Sequence, residues 1–290
     1  MSNSNLTQAQ QKPKFSVAIT TPGYQKLINN TLGDPDRAKR FIATITSSVA
    51  VNPVLQNCEA GTILAAALLG ESLNLSPSPQ LGQFYLVPFN DKKSGSKKAQ
   101  FILGYKGYIQ LAIRSGQYRK LNVLEIKEGE LKHFDPLNET IDCMLIDDFE
   151  AREKAPTVGY YAMFEYVNGF RKAIYWSKEK MMSHADKYSP AFSAKTYYDI
   201  LDGKVADNDL WKYSSFWYKN FDDMAKKTML RQIISRWGVM STEMQQAYEN
   251  DSSLVEIDKD NNFVSTPEEK LAITQPEVTE AVEKVDLNDL

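Results

Sequence analysis

Cysteine and histidine are nearly absent, with two of each in 290 residues. Cys58 and Cys143 stand far apart in apolar surroundings, which fits buried reduced thiols and excludes a disulfide framework or a redox pair. His133 and His184 belong to no His/Cys/carboxylate cluster at ligand spacing, so neither a metal site nor a nucleophilic centre is expected, and no cofactor. Long apolar runs are also missing. The longest, TILAAALLG at Thr62 to Gly70, falls far short of the ~20 residues a membrane span needs. The opening MSNSNLTQAQQKPK lacks the apolar core of a secretion signal, so a cytoplasmic protein is expected. No glycine-rich loop ends in Lys-Ser/Thr, which excludes a P-loop nucleotide site.

What is present is charge, unevenly placed. The net charge is −3, yet residues 249–290 hold twelve Asp and Glu against three Lys, a local −9 that leaves the body, Met1 to Tyr248, at +6. That tail is poor in large apolar residues and reads as largely disordered or folding on binding. It is either a solubilising linker or a segment that binds a partner or mimics a polyanion, and its removal is expected to leave the body functional. At 42% hydrophobic and 24% charged residues, the body can bury a full core. The division expected is a flexible arm over 1–33 available for subunit contacts, a core over 34–248 and the acidic tail over 249–290.

Local signals place the elements. Asp34 as N-cap and Pro35 at the first helical position start a helix carrying Ala38, Phe41, Ile42, Ile45 and Val49, which ends at Asn52-Pro53. A second helix, about Glu59 to Leu73, is rich in small residues and suits close helix packing. Two strands, Gln83 to Phe89 and Ala99 to Tyr105, flank DKKSGSKK and make a hairpin whose tip carries Lys92, Lys93, Lys97 and Lys98. These lysines serve either solvent or a phosphate backbone.

GYKG follows, with Lys106 at a strand-to-helix junction between Gly104 and Gly107, glycines that let a backbone come close to another group; a lysine there suits an anion. A short helix closes at Gly116, and a strand with Leu121, Val123 and Ile126 comes next. Ile141, Cys143 and Leu145 alternate as a strand. Val158, Tyr160, Ala162, Phe164 and Tyr166 share one face of a second hairpin that turns at Asn168-Gly169. A short helix spans Ser177 to about Ala185, with Lys178 and Lys180 facing solvent or phosphate, and Ser189 to Trp211 reads as irregular.

The most concentrated signal is FWYKNFDDMAKKTMLRQIISRWG, Phe216 to Gly238. Asp222 and Asp223 come early, Arg231 and Arg236 late, and Gly238 stops the run, the charge order a helix dipole favours. At 3.6 residues per turn, Lys227 and Arg231 project within roughly 40° of one another. Phe221, Met224 and Thr228 fill one side and Leu230, Ile233, Ile234 and Trp237 another, so the helix should pack between layers. A partly buried cation needs an anion or strong acceptors nearby. Two readings stay open: internal salt bridges, or cations held for phosphates.

NPVLQNCEAGTILAAALLGESLNLSP, LGQFYLVPFN, FILGYKGYIQLAIRSGQY and the basic helix, in this order and spacing, resemble the RecT family of phage-type single-strand DNA annealing proteins. The resemblance covers most of the chain. It implies an ATP-independent recombinase, not an enzyme, that coats single-stranded DNA, anneals it to a complementary strand and assembles as a homo-oligomer into rings or helical filaments. It implies an α+β fold, a small antiparallel sheet with hairpins packed on a central basic helix, related to the eukaryotic annealing rings. It also implies a cooperating 5′-to-3′ exonuclease, a host single-strand binding protein as partner, and the cytoplasm of a bacterial host cell. By match to the family's motifs, Tyr105, Lys106, Arg114, Lys226, Lys227 and Arg231 are the expected DNA-binding positions, and the hairpin-tip lysines join them on charge alone.

The residues agree with an annealer. Annealing makes and breaks no covalent bond, and it needs a groove that grips phosphates while base edges stay free for the second strand. Affinity would be largely independent of sequence and fall steeply with salt. Tyr105 or Trp217 would offer a ring for stacking on a base. Two alternatives stand beside this reading. One is a magnesium-dependent nuclease using Asp147-Asp148 or Asp222-Asp223, although adjacent carboxylates diverge on a strand or a helix. The other is a self-assembling scaffold that merely tolerates DNA.

Overall fold

The computed structural model describes residues 13–91, 94–257 and 263–266. Three helices open it: α1 (Phe15–Ala18), α2 (Pro22–Leu32) and α3 (Pro35–Ala50). The last two begin with proline, where a missing N–H is no loss. The Asp34 carboxylate caps α3 as expected, accepting from the Asp36 and Arg37 amides at 2.8 and 3.3 Å. The arm expected over 1–33 is mostly helical from Phe15 onward, because Phe15, Ile19, Ile28 and Leu32 bury against Phe41, Ile45 and Val49.

After a 3-10 turn at Leu55–Asn57 comes α4 (Ala60–Ser72), in which every residue from Thr62 to Gly70 is buried. A helix apolar on all sides has to be enclosed. Ile63, Leu64, Ala67 and Leu68 complete the N-terminal core, whereas Ala65, Ala66 and Leu69 face the main one. The expected hairpin follows as β1 (Phe84–Asp91) and β2 (Ser96–Leu103), paired antiparallel, and then α5 (Tyr105–Ser115), which ends at Gly116 with φ 67°.

Next come β3 (Tyr118–Lys127), β4 (Leu131–Asp135), β5 (Thr140–Cys143), α6 (Phe149–Lys154), β6 (Thr157–Tyr166) and β7 (Arg171–Ser177). Strands β3, β6 and β7 make an antiparallel sheet in that order, and β4 pairs with β5; Leu145, expected on a strand, lies beyond β5. Both faces of β6 are covered. Tyr160, Ala162, Phe164 and Tyr166 enter the main core as the alternation requires, while Tyr161 and Met163 join Ile126 and Ala173 on the other face. Val158 packs with that second cluster, not with the run on which the alternation placed it. Glu130 is fully buried at 0% exposure. It accepts from the Lys127 and Ile146 amides and from Arg152 at 2.6 Å, tying the β3–β4 turn to α6.

The chain continues through α7 (Lys178–Tyr188), α8 (Ala194–Leu201), a 3-10 turn at Asp207–Lys212, α9 (Phe216–Lys219) and α10 (Phe221–Trp237), with a backbone break at Asn220. The segment expected to be irregular thus holds α8, capped by Ser193 through the Thr196 amide. Helix α10 is enclosed as expected, burying Ala225, Met229, Leu230, Ile233 and Ile234 against α5 and the three-stranded sheet. Then α11 (Thr242–Asn250) leads to β8 (Leu254–Ile257), which pairs with β9 (Phe263–Thr266) and packs on α4. Leu254 and Val255 are buried, and Ser253 bridges Phe101 of β2, so the folded body runs past the boundary expected at 249. Residues 267–290 of the expected tail lie outside the described residues. Among the described residues no helix is long and apolar enough to cross a membrane.

Gly70 shows how tight this packing is. A Cβ there would overlap the ring of Phe84, itself fully buried and stacked on Phe101 at 5.2 Å. Alanine raises helix propensity by about 1 kcal/mol, whereas overpacking costs about 1–3 kcal/mol. Gly70→Ala is therefore expected to lower the urea midpoint, and a raised midpoint would show that α4 and Phe84 can separate.

Candidate nucleic-acid interface

The two cations singled out on α10 turn inward. Lys227 Nζ lies 2.8 Å from one carboxylate oxygen of Asp251, and Arg231 lies 2.7 Å from the other. Side-chain exposures of 8% for Lys227, 19% for Arg231 and 1% for Asp251 mark this as an interior triad. Asp251 also accepts from the Leu103 amide at 3.0 Å. The Arg231 guanidinium stacks over Tyr248 at 4.1 Å and reaches the Tyr108 hydroxyl at 3.4 Å. Burial pulls the Lys227 ammonium below its ordinary range, and Asp251 opposes that pull. The geometry follows the internal salt-bridge reading, with the anion supplied from the segment read as tail.

Just outside the triad, Leu103 passes into the GYKG turn. A Cβ on Gly104 would strike the Gly82 carbonyl oxygen, and one on Gly107 the Gln83 carbonyl oxygen; the Gly104 amide donates to Gln83 O at 2.9 Å. The close approach expected of these glycines is made to the chain's own backbone. Lys106 is exposed on the first turn of α5, its ammonium 5.9 Å from the Tyr105 ring, with no carboxylate within 4 Å among the described residues. Lys226 sits 4.8 Å over the same ring, between Asp223 at 2.9 Å and Glu125 at 3.2 Å. Burial works against its charge, but Asp223, Tyr105 and Glu125 together hold the ammonium above the usual lysine range. Tyr105, Lys106 and Lys226 therefore lie together, with Lys226 neutralised by its two carboxylates and Lys106 the exposed cation of the group.

The remaining candidates scatter. Arg114 donates to the Leu73 and Asn74 carbonyls at 2.8 and 2.6 Å, closing the C-terminus of α4. Lys98 bridges Asp91 at 3.2 Å and Glu256 at 3.0 Å; Lys97 is exposed; Lys92 and Lys93 lie outside the described residues. Trp217, suggested for stacking, is buried against Phe192 and Phe221. Of the acidic pairs proposed for magnesium, Asp148 caps α6, Asp222 accepts from the Tyr160 hydroxyl at 2.5 Å and Asp223 holds Lys226, while Asp147 is exposed.

Sequence reasoning missed a row along β7 and α7. Lys180, already read as facing solvent or phosphate, is followed at four-residue steps along one side of α7 by His184 and Tyr188, the signal that was available, and Trp176 stands beside them at the end of β7. The Trp176 and His184 rings are 5.2 Å apart and the His184 and Tyr188 rings 4.7 Å. Lys180 covers the Trp176 ring at 4.7 Å and Lys187 the Tyr188 ring at 5.1 Å. Burial first, then these two lysines, push the His184 pKa down to about 4, so the imidazole is neutral at physiological pH.

The RecT family model matches residues 39–266, which takes in α3 beyond its first turn and every helix and strand from α4 to β9 among the described residues. The chain belongs to the RecT family. It is 35% identical over 263 residues to a Bacillus subtilis (strain 168) protein named Uncharacterized protein YqaK, covering 90% of this chain and 81% of that relative. It is 28% identical over 240 residues to Protein RecT of Escherichia coli (strain K12), covering 80% of this chain and 78% of that protein. RecT family membership supports a DNA-binding, single-strand annealing role in recombination. The match extends through β9, beyond the composition boundary at 249, in keeping with a C-terminal strand pair built into the body.

Removing Asp251 would strand two interior cations. Breaking a buried ion pair from one side costs about 3–5 kcal/mol. Asp251→Ala, and truncation after Glu249, are expected to lower the urea midpoint sharply, whereas truncation after Thr266 should leave it near that of the full chain. Equal midpoints for all three would show that the triad contributes nothing to the body.

Proposed function

We propose that this chain binds single-stranded DNA and anneals complementary strands in homologous recombination without ATP, working as a homo-oligomeric filament or ring. The observation that carries the reading is the RecT family match across residues 39–266. The surface at Tyr105, Lys106 and Lys226 supports it, since Lys106 is an exposed cation with no carboxylate within 4 Å among the described residues. Phosphates held there leave base edges open to a second strand, so selectivity comes from base pairing and not from the protein. Counterion release then makes affinity strongly salt-dependent. Lys227, Arg231 and Arg114 act indirectly in this scheme: they hold α10, α11 and α4 in the positions that present the binding surface. The family resemblance extends the reading to a core related to the eukaryotic annealing rings, and to a 5′-to-3′ exonuclease and a host single-strand binding protein as partners.

The test mixes complementary labelled oligonucleotides with the protein in EDTA and without ATP. Rapid duplex formation with intact strands is expected. Cutting that appears only on adding magnesium would instead identify a nuclease, and no change in either strand a scaffold. Lys106→Ala should weaken binding to every sequence alike and reduce the slope of log affinity against log salt by about 1. An unchanged slope in the folded variant would remove Lys106 from the phosphate contacts.

A further inference from the structure

The row along β7 and α7 has a chemistry that the annealing surface does not yet use. Its ring contacts are tilted or edge-on, at 60° between Trp176 and His184 and 46° between His184 and Tyr188. Trp176, His184 and Tyr188 are all partly exposed, so none is wholly consumed by the core. Lys178, Lys180 and Lys187 form no ion pair with a described carboxylate, unlike Lys226 and Lys227. The row lies across the sheet from Lys226, on the far side of the buried Tyr160. Glu125, Tyr160 and Trp176 are register partners across β3, β6 and β7. With neighbouring strands about 4.8 Å apart, Trp176 lies about 10 Å from the carboxylate residue that holds Lys226.

We propose that Trp176, His184 and Tyr188, with Lys180 and Lys187, form a stacking platform for the nucleobases of single-stranded DNA, continuing the track that starts at Lys106. The proposal rests on the reading of the chain as a single-strand DNA binder. In the free protein the Lys180 ammonium covers the Trp176 ring and Lys187 covers Tyr188. An exposed cation–π contact is worth less than a base–aromatic stack, so exchanging one for the other is favourable. The displaced ammonium groups then move to the phosphates of the same nucleotides. From Lys180 to Tyr188 the helix rises about 12 Å, room for about three bases at a stacked rise of 3.4 Å. A neutral His184 adds a flat ring without adding a charge to desolvate. Every base has a π face, so such a platform grips a strand without choosing its sequence.

The experiment titrates the full chain with oligo-dT and with an abasic oligonucleotide of equal length, following tryptophan fluorescence and binding separately. Oligo-dT is expected to quench the wild type, whereas the abasic strand binds without comparable quenching. Trp176→Phe should remove most of the quenching that oligo-dT produces. The double variant Trp176→Leu/Tyr188→Leu should bind oligo-dT about tenfold or more weakly and the abasic strand as the wild type does. If the double variant does not fold, the quenching in Trp176→Phe decides. Wild-type quenching in Trp176→Phe, or full oligo-dT affinity in a folded double variant, overturns the platform while leaving the annealing reading in place. A wild type that binds neither strand overturns both.

Discussion

One carboxylate holds the molecule's most demanding arrangement together. Asp251 places an oxygen on each of two cations of α10 and takes the Leu103 amide besides. Without it, α10 could not be enclosed on all sides, because burying two unpaired charges costs far more than the apolar residues around them return. The same contact fixes the end of β2, and therefore the turn from which Tyr105 and Lys106 project. A buried carboxylate thus sets the geometry of the candidate interface.

The arrangement also changes what the positive body means. An excess of cations over residues 1–248 invites the inference of a polyanion partner, yet Lys227, Arg231, Arg152, Lys98 and Arg114 are occupied within the fold. The informative quantity is which exposed cations lack an internal anion. Among the described residues Lys106 meets that description, as do Lys180 and Lys187 of α7, and all three stand beside aromatic rings. Aromatic neighbours matter to a single-strand binder, because unpaired bases offer faces that a duplex conceals.

Features set by a few adjacent residues were legible from the sequence. Asp34-Pro35 starts α3, Gly116 ends α5, and Asn168-Gly169 turns β6 into β7, because a cap or a positive φ is decided locally. The separate helices and hairpin strands and the enclosure of α10 were legible from periodicity, and the α+β class from the family resemblance. Long-range pairing was not. Asp251 lies 24 residues beyond Lys227, in a stretch whose acidity looked like solubility alone, and nothing in composition separates a buried aspartate from a solvated one. The glycines of GYKG announced a close approach but not its partner, which is the backbone at Gly82 and Gln83. Helix α8, with Tyr197, Tyr198, Ile200 and Leu201, was hidden inside a segment that is polar taken as a whole, although Ser193 marked its start. The ring row on α7 was missed because its members are spread over a strand end and three helical turns.

The order of synthesis gives the Asp251 contact a further consequence. A ribosome makes Lys227 and Arg231 before the aspartate that neutralises them, and α4 well before the β8 strand that covers it. A nascent chain that has just completed α10 therefore holds two cations with no counterion and an apolar helix with one flank open to water. Closure of the main core around α10 has to wait until Asp251 and β8 have been made. A premature stop just short of that stretch would leave two cations of α10 without their counterion and α4 without the strand that covers it.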